Sequence, residues 1–104
     1  MERTAVIDHI KQIGIETLPQ NSKLLLYGSR ARGDAHDGSD WDLLILLDKP
    51  SLSFQDYDLL FPFREYGWDI GEEISPHIYT IGQWNQWGFL PFHKNVEQDK
   101  HILI

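Results

Sequence analysis

Cysteine is absent from the 104 residues, which removes disulfides, thiolate metal ligands and a cysteine nucleophile from consideration and fits a reducing compartment. No apolar run approaches the roughly 18–20 residues of a membrane span. The opening Met1-Glu2-Arg3-Thr4 lacks the apolar stretch of a secretion signal, so the expected location is cytoplasmic, with no membrane partner. Positive charge is scarce as well. Nine Lys and Arg stand against sixteen Asp and Glu, for a formal net charge of −7. This balance excludes an extended electrostatic footprint on a nucleic-acid backbone, which needs clustered cations, and any anionic ligand must be met locally. What is present suffices for a packed core: 41% of the residues are hydrophobic and 12% aromatic. A chain of this length forms one core, so residues 1–104 read as a single domain.

Hydrophobic spacing orders the chain. From Thr4 to Leu18, Val6, Ile10 and Ile13, with Ile7 beside them, give one apolar helical face, which Pro19 ends. Lys23 to Tyr27 is a short apolar run closed by Gly28 and reads as a buried strand. Gly28 to Ser39 contains almost nothing apolar and is expected to be a loop with at most one helical turn. The run Leu43-Leu44-Ile45-Leu46-Leu47, within Asp40 to Asp48, reads as a central strand covered on both faces. Phe54, Tyr57, Leu60 and Phe61 then recur at helical spacing, with Ser53 as N-cap, Pro62 as a restart, and Gly67 and Gly71 marking the end. Glu73 to Thr80 alternates as an edge strand, with Glu73, Ser75, His77 and Tyr79 on one face. Ile81 to Trp87 suits a turn or two of helix, and Asn95 to Ile104 is a polar segment ending in Ile-Leu-Ile, a tail free to fray or dock. The expected fold is α/β or α+β, a small mixed sheet with helices packed on it.

Chemistry concentrates between the first two strands, in Gly28-Ser29-Arg30-Ala31-Arg32-Gly33-Asp34 and Ser39-Asp40-Trp41-Asp42. A P-loop is excluded, because Asp34 and Ala35 stand where lysine and a hydroxyl would be needed. The acids Asp34 and Asp37 with Gly38 miss the spacing of an EF-hand calcium loop. Asp40 and Asp42 fit a third pattern. Residues two apart at a strand start project the same way, with Cα atoms about 6–7 Å apart, and two such carboxylates can share divalent cations. Magnesium sites join one or two carboxylates to substrate phosphates, and a pair of ions serves the attacking and leaving oxygens of a phosphoryl displacement. The Gly28-Ser29 turn lets backbone N–H groups and a hydroxyl approach phosphate oxygens, and Arg30 or Arg32 can add a guanidinium.

Gly28-Ser29, ten residues, then Asp40-Trp41-Asp42 before an apolar strand resembles the signature of the DNA polymerase β-like nucleotidyltransferase superfamily. More narrowly, Gly28 to Asp34 with Ser39 to Leu43 resembles the minimal nucleotidyltransferases, small prokaryotic proteins that often form the antitoxin half of toxin–antitoxin pairs. The resemblance implies a polymerase β palm-like nucleotidyltransferase fold. It also implies transfer of a nucleoside monophosphate, AMP from ATP, to an acceptor hydroxyl with two magnesium ions. Gly28 and Ser29 would hold the triphosphate, and Asp40 and Asp42 the metal. Glu73, at the start of the third strand, would complete the metal site and assist the nucleophile, unless register puts Ser75 at that position; Asp69 is a poorer candidate. The implied acceptor is a helical HEPN-type protein or a homodimer partner.

Bland readings stand beside these. The histidines His9, His36, His77, His93 and His101 have no zinc spacing, although His77 shares the face of Glu73. Trp84, Trp87, Phe89 and Phe92 serve a core or a partner contact. The rival function is a nucleotide-binding or antitoxin module that acts by contact without catalysis. A drug-modifying nucleotidyltransferase would need a further helical domain.

Overall fold

The computed structural model describes residues 2–104. Helix α1 (Arg3–Thr17) leads to β1 (Lys23–Tyr27), a single turn α2 (Ser29–Arg32) and β2 (Trp41–Leu47). A 3-10 helix (Phe54–Leu60) runs directly into α3 (Phe61–Ile70), followed by β3 (Ile74–Thr80), α4 (Ile81–Gln86), α5 (Pro91–Asp99) and a two-residue β4 (His101–Ile102). The strands form one sheet in the order β3-β2-β1-β4. β1 is antiparallel to both its neighbours, and β2 and β3 are parallel. The parallel pair requires a crossover, which the 3-10 helix and α3 supply.

Alternation along the strands divides the core in two. Leu24 and Leu26 of β1, Trp41, Leu43, Ile45 and Leu47 of β2 and Ile74 and Ile78 of β3 pack with Val6 and Ile10 of α1 and Phe63 and Tyr66 of α3. Leu25, Leu44 and Leu46 face the other way, under Trp84 of α4 and Val96 of α5. Both faces of β2 are therefore covered, which is why its sequence runs apolar without alternation. Trp84 is fixed in this second layer by donating from Nε1 to Glu97 Oε2 at 3.1 Å and by stacking on His93. Thr80 caps α4 reciprocally: Gln83 N–H donates to Thr80 Oγ1 at 3.0 Å and Thr80 N–H to Gln83 Oε1 at 2.9 Å.

Three expectations change. Gly67 does not end the third helix, which continues to Ile70 and stops at Gly71 with φ 73°. Residues 54–60 form a 3-10 helix, with the α-helical part beginning around Pro62. The polar C-terminal segment, read without a helix, is helical over residues 91–99, and of fraying and docking the tail takes the second, pairing with β1, where Leu103 N–H donates to the Leu24 carbonyl at 2.8 Å. Its local pattern was too polar to announce a helix, and a two-residue strand exists only because β1 offers an open edge.

The buried Gly67 has a reason to lack a side chain. A Cβ there would lie 2.8 Å from the backbone oxygen of Glu72 and 3.0 Å from Ile74 Cγ1. Because the closest atom is backbone, Gly67→Ala is expected to destabilise the fold by about 1–3 kcal/mol. Thermal denaturation would register this as a fall of several degrees in Tm.

Candidate active site

The antiparallel register of β1 and β2 sets Tyr27 opposite Asp42, and the parallel register of β2 and β3 sets Asp42 beside Ser75 and Trp41 beside Ile74. Asp42 thereby projects from the sheet face that carries Leu44 and Leu46, at the end where α2 begins. Gly28, the residue after β1, takes φ 75° and ψ −159°, and a Cβ on it would collide with Asp42 Oδ2. Only glycine lets the turn lie against that carboxylate without strain. The consequence is that Ser29, which opens α2, is held close to Asp42. Two segments separated by more than ten residues thus form one site.

Asp40 precedes β2 by one residue and is exposed, and Ser75 Oγ lies 3.5 Å from Asp40 Oδ2. Burial, followed by the negative charge of Asp40, pushes the Asp42 carboxyl above its ordinary range, partly offset by His77 and Arg32. Two like charges lie near one another and are only partly offset by His77 and Arg32, which is the condition a divalent cation relieves. Tyr27 responds to the same field. Burial first, then Asp42 and Tyr79, push its phenol up to about 12, so it stays a neutral hydroxyl at physiological pH.

The two arginines part company. Arg32 lies on the carboxylate side, where its charge acts on Asp42, and it is exposed, pairing with Asp34 at 3.1 Å and with Asp99 of α5 at 2.8 Å. Arg30 turns to the opposite side, over the ring of Trp41 at 4.6 Å. It donates from Nη2 and Nε to the Ser39 carbonyl at 3.0 and 3.3 Å and pairs with Glu72 at 3.6 Å. Its guanidinium is thereby committed to holding the loop before Asp40.

Glu73 sits one step before the first β2–β3 pair, next to Asp40, and its carbonyl accepts from Trp41 N–H at 2.8 Å. Its side chain is exposed at the rim of a cavity of about 690 Å³ that Arg30, Trp68 and Glu72 also line. Among the described residues no three Asp, Glu or His side chains gather around one point. Asp69 is elsewhere, beside His9 and Tyr66 in a separate hollow. His77, singled out by alternation, does face the site. Tyr27 was not singled out, although its place two residues after Leu25 was the signal for its orientation.

The chain matches the nucleotidyltransferase domain family over residues 7–104. It is 36% identical over 66 residues to the bifunctional uridylyltransferase/uridylyl-removing enzyme of Pseudomonas entomophila (strain L48), covering 62% of this chain and 7% of that much longer protein. Among solved structures it is similar to a chain in the crystal structure of a toxin-antitoxin with AMP-PNP. The TM-score is 0.65 and the identity 15%, over 94% of this chain and 72% of that one. The latter likeness is one of fold. No helix of the described residues is long and apolar enough to cross a membrane. With the Gly28-Ser29 turn seated on Asp42 and the match extending from α1 to the last residue, the chain belongs to the nucleotidyltransferase domain family.

Proposed function

We propose that the domain transfers a nucleoside monophosphate, AMP from ATP, to a hydroxyl on a second molecule. The observation that carries this reading is the contact of the Gly28 turn with Asp42, because it joins a phosphate-approaching backbone to a carboxylate pair. The acceptor oxygen bonds to the α-phosphorus while the bond from that phosphorus to the bridging oxygen breaks. Pyrophosphate leaves, and the hydroxyl proton passes to solvent. Asp40 and Asp42 suit magnesium, since both are oxygen ligands and their mutual repulsion is relieved only in part by His77 and Arg32. Magnesium bound there supplies positive charge against the triphosphate and the leaving pyrophosphate. Gly28 and Ser29 orient the phosphates, and Arg32 adds a cation on that side. In this reading Glu73 is the third carboxylate. The family resemblance and the toxin-antitoxin neighbour favour a protein acceptor, a small helical partner of the HEPN type, with the cytoplasm as the place of action.

One observation favours a second reading, a nucleotide-binding antitoxin that acts by contact alone. Ser75, which carries no charge, occupies the β3 position beside Asp42. Incubation with labelled ATP, magnesium and the product of the adjacent gene separates the two. Transfer predicts label on that protein, reduced at least about a hundredfold in Asp42→Ala. Tight association without label would leave only the contact reading.

Stability offers an independent check on the carboxylates. The raised value of Asp42 means that the folded chain binds this proton more tightly than the unfolded chain does. Ionised Asp42 therefore costs stability at neutral pH, and the cost vanishes as pH falls through the raised value. Metal-free Asp42→Asn should melt above the wild type at pH 7, with the difference closing in acid. Magnesium with ATP should raise the wild-type Tm by mass action and leave that of Asp42→Asn little changed; equal shifts in both proteins would place the metal elsewhere.

A further inference from the structure

The cavity of about 690 Å³ lies at the site's end of the sheet but on the α3 side. It is an open hollow lined by the Gly67–Gly71 end of α3, the turn at Glu72 and Glu73, the Asp37-Gly38 loop and Arg30. Glu73 joins it to the site, being next to Asp40 in the β2–β3 register. Three carboxylates, Asp37, Glu72 and Glu73, line it against one cation. Arg30 is already spent on the Ser39 carbonyl and on Glu72. The cavity is therefore electronegative, and a triphosphate would be repelled from it. Only a group carrying positive charge gains by entering.

The wall adds a second feature. Trp68 is 63% exposed, and an accessible indole beside carboxylates suits a lysine or arginine head group. Phe61 meets Trp68 edge to face at 5.8 Å. From there Phe61, Tyr57 and Phe54 continue outward at spacings of four and three residues, 51%, 53% and 92% exposed. α3 buries Phe63 and Tyr66 in the core, so the outer stripe, which runs from the 3-10 helix onto α3, is surplus to folding. An aromatic stripe leading away from a cavity exceeds what a small acceptor can cover and fits a protein face. A second copy of this chain fits poorly, because each copy carries a net charge of −7.

We propose that the partner protein places a lysine- and arginine-flanked hydroxyl segment in this cavity while the rest of it lies on the aromatic stripe of the 3-10 helix and α3. The inference rests on the transfer reading above and adds to it the acceptor's charge and where it docks. The hydroxyl then approaches from the Glu73 side and the nucleotide from the Gly28 side. The acceptor oxygen bonds to the α-phosphorus as pyrophosphate departs and the proton leaves to solvent.

The test titrates the full chain with three probes, following tryptophan fluorescence. The probes are a synthetic peptide with a serine flanked by lysines and arginines, the same peptide with glutamates in place of the cations, and ethanolamine as a free cationic hydroxyl. The basic peptide should bind, with affinity falling as salt rises. Trp68→Ala and Asp37→Lys, both at exposed positions and checked for folding by Tm, should each weaken it about three- to tenfold. Equal binding of the acidic peptide, unchanged binding in both variants, or competition by ethanolamine at equal concentration would overturn the proposal. Adding labelled ATP with magnesium separates the two claims. Variant-sensitive binding without label on the serine supports the docking surface and counts against transfer, whereas labelling indifferent to both variants supports transfer and overturns the docking surface.

Discussion

The site depends on one close approach, the backbone of Gly28 against the carboxylate of Asp42. It exists because β1 and β2 are antiparallel neighbours whose register ends at Tyr27 opposite Asp42. Five residues of β1 leave the sheet where seven residues of β2 enter it, so the turn after one strand must pass the first side chains of the other. A side chain at position 28 would push the turn away, and the strained φ would add to the cost. Everything proposed for the nucleotide follows from that contact.

The sheet supplies the rigidity and also the unfavourable electrostatics. Asp42 is half-buried because Leu44, Leu46 and Tyr27 share its face. Burial and the nearby Asp40 raise the cost of its charge. Natural folds keep such costs where function uses them. Arg30 holds the loop from Gly33 to Ser39, a stretch almost without apolar anchors. Its guanidinium joins Trp41, the Ser39 carbonyl and Glu72, and its own carbonyl accepts from Arg3 of α1 at 3.0 Å. The loop is tethered by charge-assisted hydrogen bonds and a ring contact where packing could not do it.

Much of this was legible in the residues. The strand limits of β1 match its apolar run, and the continuous Leu43–Leu47 run foretold a strand covered on both sides, because a strand with one wet face would alternate. Pro76 agreed with the edge position of β3. The α5 helix and β4 were not legible. Val96 is the one fully buried side chain of α5 and Phe92, one turn before it, joins it against Trp84, an apolar stripe too short to announce a helix, and β4 borrows its conformation from the edge of β1. Gly67 read as a stop because glycine commonly is one; its actual role, clearance for the Glu72 carbonyl, depends on a contact with the chain returning into β3.

By itself the sequence determined most of the elements from α1 to α4 and the nearness of Gly28-Ser29 to Asp40 and Asp42, because strand period, glycine and carboxylate spacing are local properties of the chain. Only the tertiary structure decided which side each group serves. It turned Arg30 away, left Arg32 on the Asp42 side paired with Asp34 and Asp99, placed Ser75 beside Asp42, and set Glu73 at the rim of a cavity that Trp68 also lines. Those outcomes follow from strand register and helix packing, which set Ser75 beside Asp42 and Glu72 beside Arg30 across more than thirty positions and leave no trace in local spacing.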